Sequence, residues 1–263
     1  MRRLLPNLLG ANRMIIAVEG RKYEGKTSLA FYLACKIRDE RSAYKIMIFD
    51  PKWSFRNEYV PVLGKSRRVQ HAESIDDFEE MVDSPGTAVS FWPELSMQRN
   101  THDTIYREFE SFCGAIGLEE LLRHPPMRPV IILVDEAELL REGKEMHPCL
   151  SNAVWLATKG RLYLILAVHR PVQIAPDVRS QIDDFYFFRQ DDPNDLAFIQ
   201  ERCGKAVADT VSTLPRHHFV HYSSEHREAT LWNNPERWRI DIGEPSRSTA
   251  SSNSSARGNA DAA

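Results

Sequence analysis

Residues 20–27 read Gly-Arg-Lys-Tyr-Glu-Gly-Lys-Thr, two glycines five positions apart with a lysine and a threonine directly after the second. An apolar run, residues 14–18, precedes them, and residues 26–38 carry Leu29, Leu33 and Ile37 at helical spacing. A glycine-rich turn between a strand and a helix can wrap its backbone N–H groups around phosphate oxygens, and the helix N-terminus adds a positive partial charge. In that frame Gly20, Glu24, Gly25, Lys26, Thr27 and Ser28 are the candidate nucleotide-binding residues. Lys26 would reach the β- and γ-phosphates of ATP, and Thr27 would offer its hydroxyl to Mg²⁺.

A second chemical signal lies at residues 130–140, VIILVDEAELL, where Asp135 and Glu136 follow an apolar run. Open α/β sheets bind ligands at the carboxyl ends of their strands, so both acids stand at the productive edge. Asp135 is suited to the Mg²⁺ water shell, which makes Thr27 and Asp135 the candidate metal residues. Glu136 is suited to polarise the attacking water as a general base. The competing account is a plain helix cap, with Glu138 beside it. Transfer of phosphate to a bound acceptor needs no water-activating glutamate here, so the pair points to ATP hydrolysis. It argues likewise against a nucleotide-switched scaffold with little turnover.

These groups need a framework. Strands are expected at residues 45–50, 87–92, 130–134, 162–168 and 184–188, and helices at 74–82, 103–116, 149–159 and 192–202. Residues 217–232 alternate as a terminal hairpin would. Strands alternating with helices predict an α/β fold with a mostly parallel central sheet flanked by helices. At least two strand–helix units fit between Thr27 and Asp135, which resembles the subclass of P-loop ATPases with an extra strand between the two motif strands; that resemblance implies residues 162–168 as the inserted strand. That run ends in His169-Arg170-Pro171. By type alone His169 could be a metal ligand, a catalytic base, a packed residue or a sensor of bound phosphate.

The formal charge is −3, with 37 acidic and 34 basic side chains, so a nucleic-acid surface would have to be local or formed by several subunits. Four cysteines show no CxxC spacing and read as reduced thiols. The opening MRRLLPNLLGANR is too short in its apolar part for a signal peptide and is broken by Pro6 and Asn7. No run is long enough for a bilayer, so a soluble, intracellular, non-secreted protein is expected. Residues 243–263 lack large apolar side chains and are expected to stay disordered. This leaves a 1–13 extension, a domain over 14–242 and the tail. His217, His218, His221 and His226 do not form a metal site on this reading, since neighbours on a strand point to opposite faces. The acidic run QHAESIDDFEE reads as a solvated helix face. The basic stretch at 64–70, GKSRRVQ, reads as a DNA contact or a solvated loop.

Five segments in order, IAVEGRKYEGKTSLA, IMIFDPKW, VIILVDEAE, GRLYLILAVHRP and DFYFFR, resemble the HerA/FtsK superfamily of DNA-pumping ring ATPases. Small size and the lack of a membrane segment make the chain similar to genome-packaging ATPases of tailless, membrane-containing double-jelly-roll viruses and phages. The resemblance covers residues 14–225. It implies a RecA/ASCE-like P-loop NTPase fold, a homo-oligomeric ring (a hexamer) and double-stranded DNA as partner. It also implies capsid-vertex or membrane proteins as further partners, and a place in the host cytoplasm or the virion. Relatives end the inserted strand in Gln-Arg-Pro and sense the γ-phosphate with Gln; this chain has His169 there. They carry an arginine finger just before that strand, which matches Arg161, with Arg179 and Arg189 as alternatives. Asp50-Pro51-Lys52-Trp53 falls near the site without an assigned role. Filamentous-phage assembly or export ATPases of the Zot type, and plasmid or chromosome DNA-processing ATPases, share this chemistry.

Overall fold

In a computed structural model the chain is described over residues 14–40, 45–52, 54–55, 59–62, 65–83, 88–92, 102–124 and 130–232. The elements begin with β1 (Ile15–Glu19), α1 (Lys26–Glu40), β2 (Ile46–Phe49), β3 (Tyr59–Val62), β4 (Lys65–Arg68), β5 (Gln70–Ala72), α2 (Ile75–Asp83) and β6 (Ala88–Phe91). Next come α3 (His102–Ala115), α4 (Leu118–Arg123), β7 (Val130–Val134), β8 (Arg141–Glu142), β9 (Glu145–Met146), α5 (Pro148–Thr158) and β10 (Leu162–Val168). The last are α6 (Pro176–Ser180), β11 (Asp184–Phe188), α7 (Pro193–Cys203), α8 (Lys205–Thr213), β12 (Phe219–Ser223) and β13 (Glu228–Trp232).

Nine strands form one sheet in the order β13-β12-β11-β1-β10-β7-β2-β6-β5. The seven from β11 to β5 run parallel, and β12 and β13 close one edge as an antiparallel hairpin. The parallel strands are apolar because helices cover both faces. All seven residues of β10 are buried, each large side chain contributing roughly 1.5–3 kcal/mol relative to exposure. As the sequence predicts, β10 lies between β1 and β7.

Register aligns the functional edge. Glu19 pairs with Val168, and Leu166 with Val134, so β1, β7 and β10 end side by side. Gly20, Asp135 and His169 follow those three ends directly. Helix α1 starts at Lys26 and is buried on more than one side: the sheet covers one face, and Phe31 meets Phe55 across another at 5.5 Å between ring centres. Side-chain caps set several starts. Ser74 Oγ accepts from Asp77 N at 3.1 Å ahead of α2, and Asp192 Oδ1 accepts from Asn194 N at 2.9 Å ahead of Pro193 and α7.

Some expectations are corrected. Residues 65–68 are a strand paired antiparallel to β3, with Tyr59 opposite Arg68, where a loop was one reading of the basic stretch. The acidic run begins as β5, added in parallel to β6, and becomes helical only from Ile75. Helices α4, α6 and α8 and the two-residue strands β8 and β9 are not among the expected elements. The 1–13 extension, Trp53 and the tail over 243–263 lie outside the described residues.

Candidate functional site

The phosphate loop spans the gap between β1 and α1. Gly20 N donates to Val168 O at 3.3 Å. A Cβ on Gly20 would stand 2.4 Å from Phe188 Cβ, so the backbone passes β11 where only glycine fits. Tyr23 (φ 67°) and Gly25 (φ 105°) turn the loop through left-handed conformations. The turn before β12 grips it from outside. Arg216 donates from Nε and Nη2 to Tyr23 O at 3.4 and 3.3 Å. His217 N donates to Glu24 Oε2 at 3.3 Å and its Nδ1 to Glu24 O at 2.9 Å. The Glu24 side chain is therefore engaged with this turn, while Ser28 is exposed in the first turn of α1.

Lys26 and Thr27 point to the sheet edge. Lys26 Nζ donates to Arg21 O at 3.1 Å. Burial pulls its ammonium below the ordinary range, against the opposite pull of Glu136, Glu138 and Asp135. Thr27 Oγ1 donates to Asp135 Oδ1 at 3.1 Å and sits 3.4 Å from Oδ2. Asp135 is nearly inaccessible, and burial, then Glu136 and Asp50, push its carboxyl up to about 7. A buried carboxylate and a hydroxyl form an all-oxygen donor set, and the raised carboxyl is what a hard divalent cation would offset. The two residues predicted for Mg²⁺ thus fit that ion.

Glu136 has φ 53°, a left-handed turn that carries the chain out of β7. Its Oε2 accepts from Lys52 Nζ at 2.7 Å and lies 3.0 Å from His169 Nδ1. Burial would raise this carboxyl, but His169 and Lys52 outweigh it and bring it down to about 2. His169 Nδ1 also makes a short contact with Glu138 Oε1. Carboxylates only accept, so Nδ1 must carry a proton. Glu136 and Glu138 push this imidazole up to about 9, against burial and Lys26. Although Glu136, Glu138 and His169 could together hold a metal ion, the positive charge between the two acids is supplied by the imidazolium itself.

Arg170, next in the motif, turns the other way. It bonds Asp192 Oδ1 at 2.6 Å through Nη2 and the fully buried Asp195 Oδ2 at 2.8 Å through Nε. With Gln190 Nε2 donating to His169 O at 3.1 Å, this ties the loop after β10 to the start of α7.

Arg161 stands at the far end of β10. Seven strand residues separate it from His169, a span of roughly 26 Å. Its Nη1 donates to Leu121 O and Leu122 O at 2.6 and 2.9 Å, near the C-terminal end of α4. Arg179 lies over Phe198, with 4.4 Å from guanidinium carbon to ring centre. Arg189 is half-buried just after β11, at the same edge as the phosphate loop.

Sequence reasoning missed several partners. Lys52 had a place but no role, and its signal was its position three residues after the end of β2. Asp50 organises that turn by accepting from Ser54 N and Phe55 N at 2.8 and 2.9 Å. Glu138 was visible only as a neighbour of the acid pair, and the Arg216–His217 grip had no local signal. The C-terminal histidines are engaged separately: His218 Nδ1 lies 3.1 Å from Arg216 O, and His221 Nε2 lies 2.9 Å from Asp184 Oδ1.

Fold and loop together define an α/β P-loop NTPase architecture, with two acids opposite the phosphate loop at one sheet edge. Comparison with solved structures finds the genome packaging NTPase B204 of Sulfolobus turreted icosahedral virus 2, solved in complex with AMP. It is 20% identical with a TM-score of 0.61, over 85% of this chain and 98% of that one. The same NTPase in complex with sulfate gives 19% and 0.61, over 84% and 97%. VirB4 of Thermoanaerobacter pseudethanolicus gives 11% and 0.56, over 84% and 90%. These likenesses show the fold. No model of a protein family matches the chain, and no curated protein does.

Proposed function

We propose that the chain is an ATP-hydrolysing motor that moves double-stranded DNA as a homo-oligomeric ring, with viral genome packaging as its setting. The observation that carries the ATPase reading is the contact between Thr27 Oγ1 and Asp135 at 3.1 Å, with Glu136 next in the chain and bonded to the residue at the sensor position. Lys26 would leave Arg21 O for the phosphates. Thr27 and Asp135 would hold Mg²⁺, which when bound screens the negative charge of the phosphate oxygens. Glu136, at about 2 while paired to Lys52 and His169, is a weak base in this conformation. A γ-phosphate that competes for His169 Nδ1 would loosen that pairing and free Glu136 to orient water. His169 would thus couple phosphate occupancy to base activation.

The packaging assignment draws support from the fold shared with B204, a genome packaging NTPase whose solved complexes include AMPPCP and ATP-gammaS. No helix among the described residues is long and apolar enough to cross a membrane. The hexamer, the capsid-vertex or membrane-protein partners and a host-cytoplasmic or virion location follow from the same reading. Arg161 remains the proposed finger; at that distance from its own loop it could act only on a neighbouring subunit.

The test is turnover of the purified chain with duplex DNA. Lys26→Ala should abolish hydrolysis, and Glu136→Gln should keep ATP binding while stopping hydrolysis. Unchanged turnover in Lys26→Ala would remove the ATPase reading. Hydrolysis indifferent to DNA would remove the motor.

A further inference from the structure

A cavity of about 520 Å³ opens between α6, the C-terminal half of α7 and the turn joining β12 to β13. Three of its lining residues are cationic, Arg179, Arg202 and Arg227, against one acid, Glu201. It lies outside the phosphate loop and shares none of that loop's residues.

Two of the guanidiniums, Arg179 and Arg202, are held by ring and hydrogen-bond contacts, and none of the three is paired with an anion among the described residues. Arg179 is oriented by the face of Phe198, and its one hydrogen bond among the described residues is Nη1 to Pro171 O at 3.4 Å. Arg202 stands 5.9 Å from the Phe185 ring centre and gives Nη2 to Ser224 Oγ at 3.4 Å. Arg227 sits on the β12–β13 turn with φ 54°. Among the described residues none of the three forms an ion pair within 4.0 Å. The hydroxyls donate to the backbone instead: Ser224 Oγ to Ile182 O at 3.0 Å and Tyr222 Oη to Arg202 O at 3.1 Å. The guanidiniums are therefore the donors that face the space.

Glu19 is a buried acid close enough to act on Arg179. Burial holds its carboxyl well above the ordinary range, which disfavours the charged form that would offset the guanidinium. Burial lowers Arg179, against the opposite pull of Glu19 and of Glu201 in the cavity wall, and neither acid comes within ion-pair distance of it. Arginine forks match phosphate oxygens in pairs, and this volume suits a ligand of nucleotide size.

We propose that this cavity binds phosphate, as a stretch of nucleic-acid backbone or as the polyphosphate of a free nucleotide. The site is independent of the hydrolysis chemistry, and its test reads binding without turnover. Anisotropy of a labelled duplex of about 20 base pairs is measured against salt for wild type, Arg227→Gln and Arg202→Gln/Arg227→Gln. Pyrophosphate is titrated calorimetrically into the same set in a Lys26→Ala background, which disables the phosphate loop. Arg227 is on an exposed turn, so Arg227→Gln should keep the wild-type Tm.

If the backbone is the ligand, duplex affinity falls about threefold to tenfold per arginine, and the salt slope drops by roughly one for each. If free polyphosphate is the ligand, pyrophosphate binding falls about tenfold while duplex binding stays. Unchanged binding of both probes in the double variant overturns the proposal, including when its oligomeric state changes.

Discussion

His169 Nδ1 lies 3.0 Å from Glu136 Oε2, so the residue proposed to sense the γ-phosphate and the acid next to Asp135 share one contact. Glu138 contacts the same nitrogen, and Lys52 grips the same Glu136 oxygen at 2.7 Å. A charged imidazole between two acids does a job that a neutral Gln does with one amide N–H. His169→Gln should therefore keep hydrolysis within a few-fold of wild type. His169→Ala should lower kcat by about 100-fold, the cost of losing one positioned donor at a reacting phosphate. Steady-state ATPase assays decide, and wild-type kcat in His169→Ala would end the sensor role.

Arg161 serves two masters on this reading, the α4 carbonyls of its own subunit and ATP bound to the next. Mixing Arg161→Ala with Lys26→Ala subunits should recover part of the activity that neither has alone, because each supplies what the other lacks. Titrating the ratio against ATPase rate measures this. Zero recovery at every ratio, with both variants folded by circular dichroism, would leave Arg161 as a tie to α4.

Arg170→Ala should destabilise the fold by about 2 kcal/mol, because it strands the fully buried Asp195 carboxylate. The figure is below that for a wholly buried pair because the Arg170 side chain is 37% exposed. Arg170→Leu/Asp195→Leu should cost less than Arg170→Ala alone. Denaturant melts give both values, and an equal loss in the two would mean that the pair is not coupled.

Glu19 is fully buried at the end of β1, and neither carboxylate oxygen finds a donor among the described residues. Its folded pKa is raised, while the unfolded value is near 4.3. As pH rises above about 4.3 the unfolded chain sheds this proton and the folded chain keeps it. Stability then falls by up to about 1.4 kcal/mol per pH unit from this group. Glu19→Gln removes that slope and leaves a constant offset. The variant's Tm should gain on wild type as pH rises above about 4.3, until the folded carboxyl itself ionises; parallel curves would show that Glu19 is ionised in the fold throughout.

Local sequence determined the parts of this protein whose signal is carried by consecutive residues. The phosphate loop, the Asp135-Glu136 pair and the strands at 130–134, 162–168 and 184–188 were legible because backbone turns and buried runs depend on spacing along the chain. The placement of β10 between β1 and β7 came from the resemblance to P-loop ATPases with an inserted strand. Short elements such as α4, α6 and α8 escaped, since one or two turns leave too few buried positions to show a period. Only tertiary structure decided who partners whom. Lys52 meets Glu136, Arg161 meets α4, and His217 grips Glu24 across 193 residues. The reason is physical: parallel strands need crossovers, and the crossovers bring distant loops to one sheet edge, where charge and hydrogen bonding select partners that no spacing along the chain encodes.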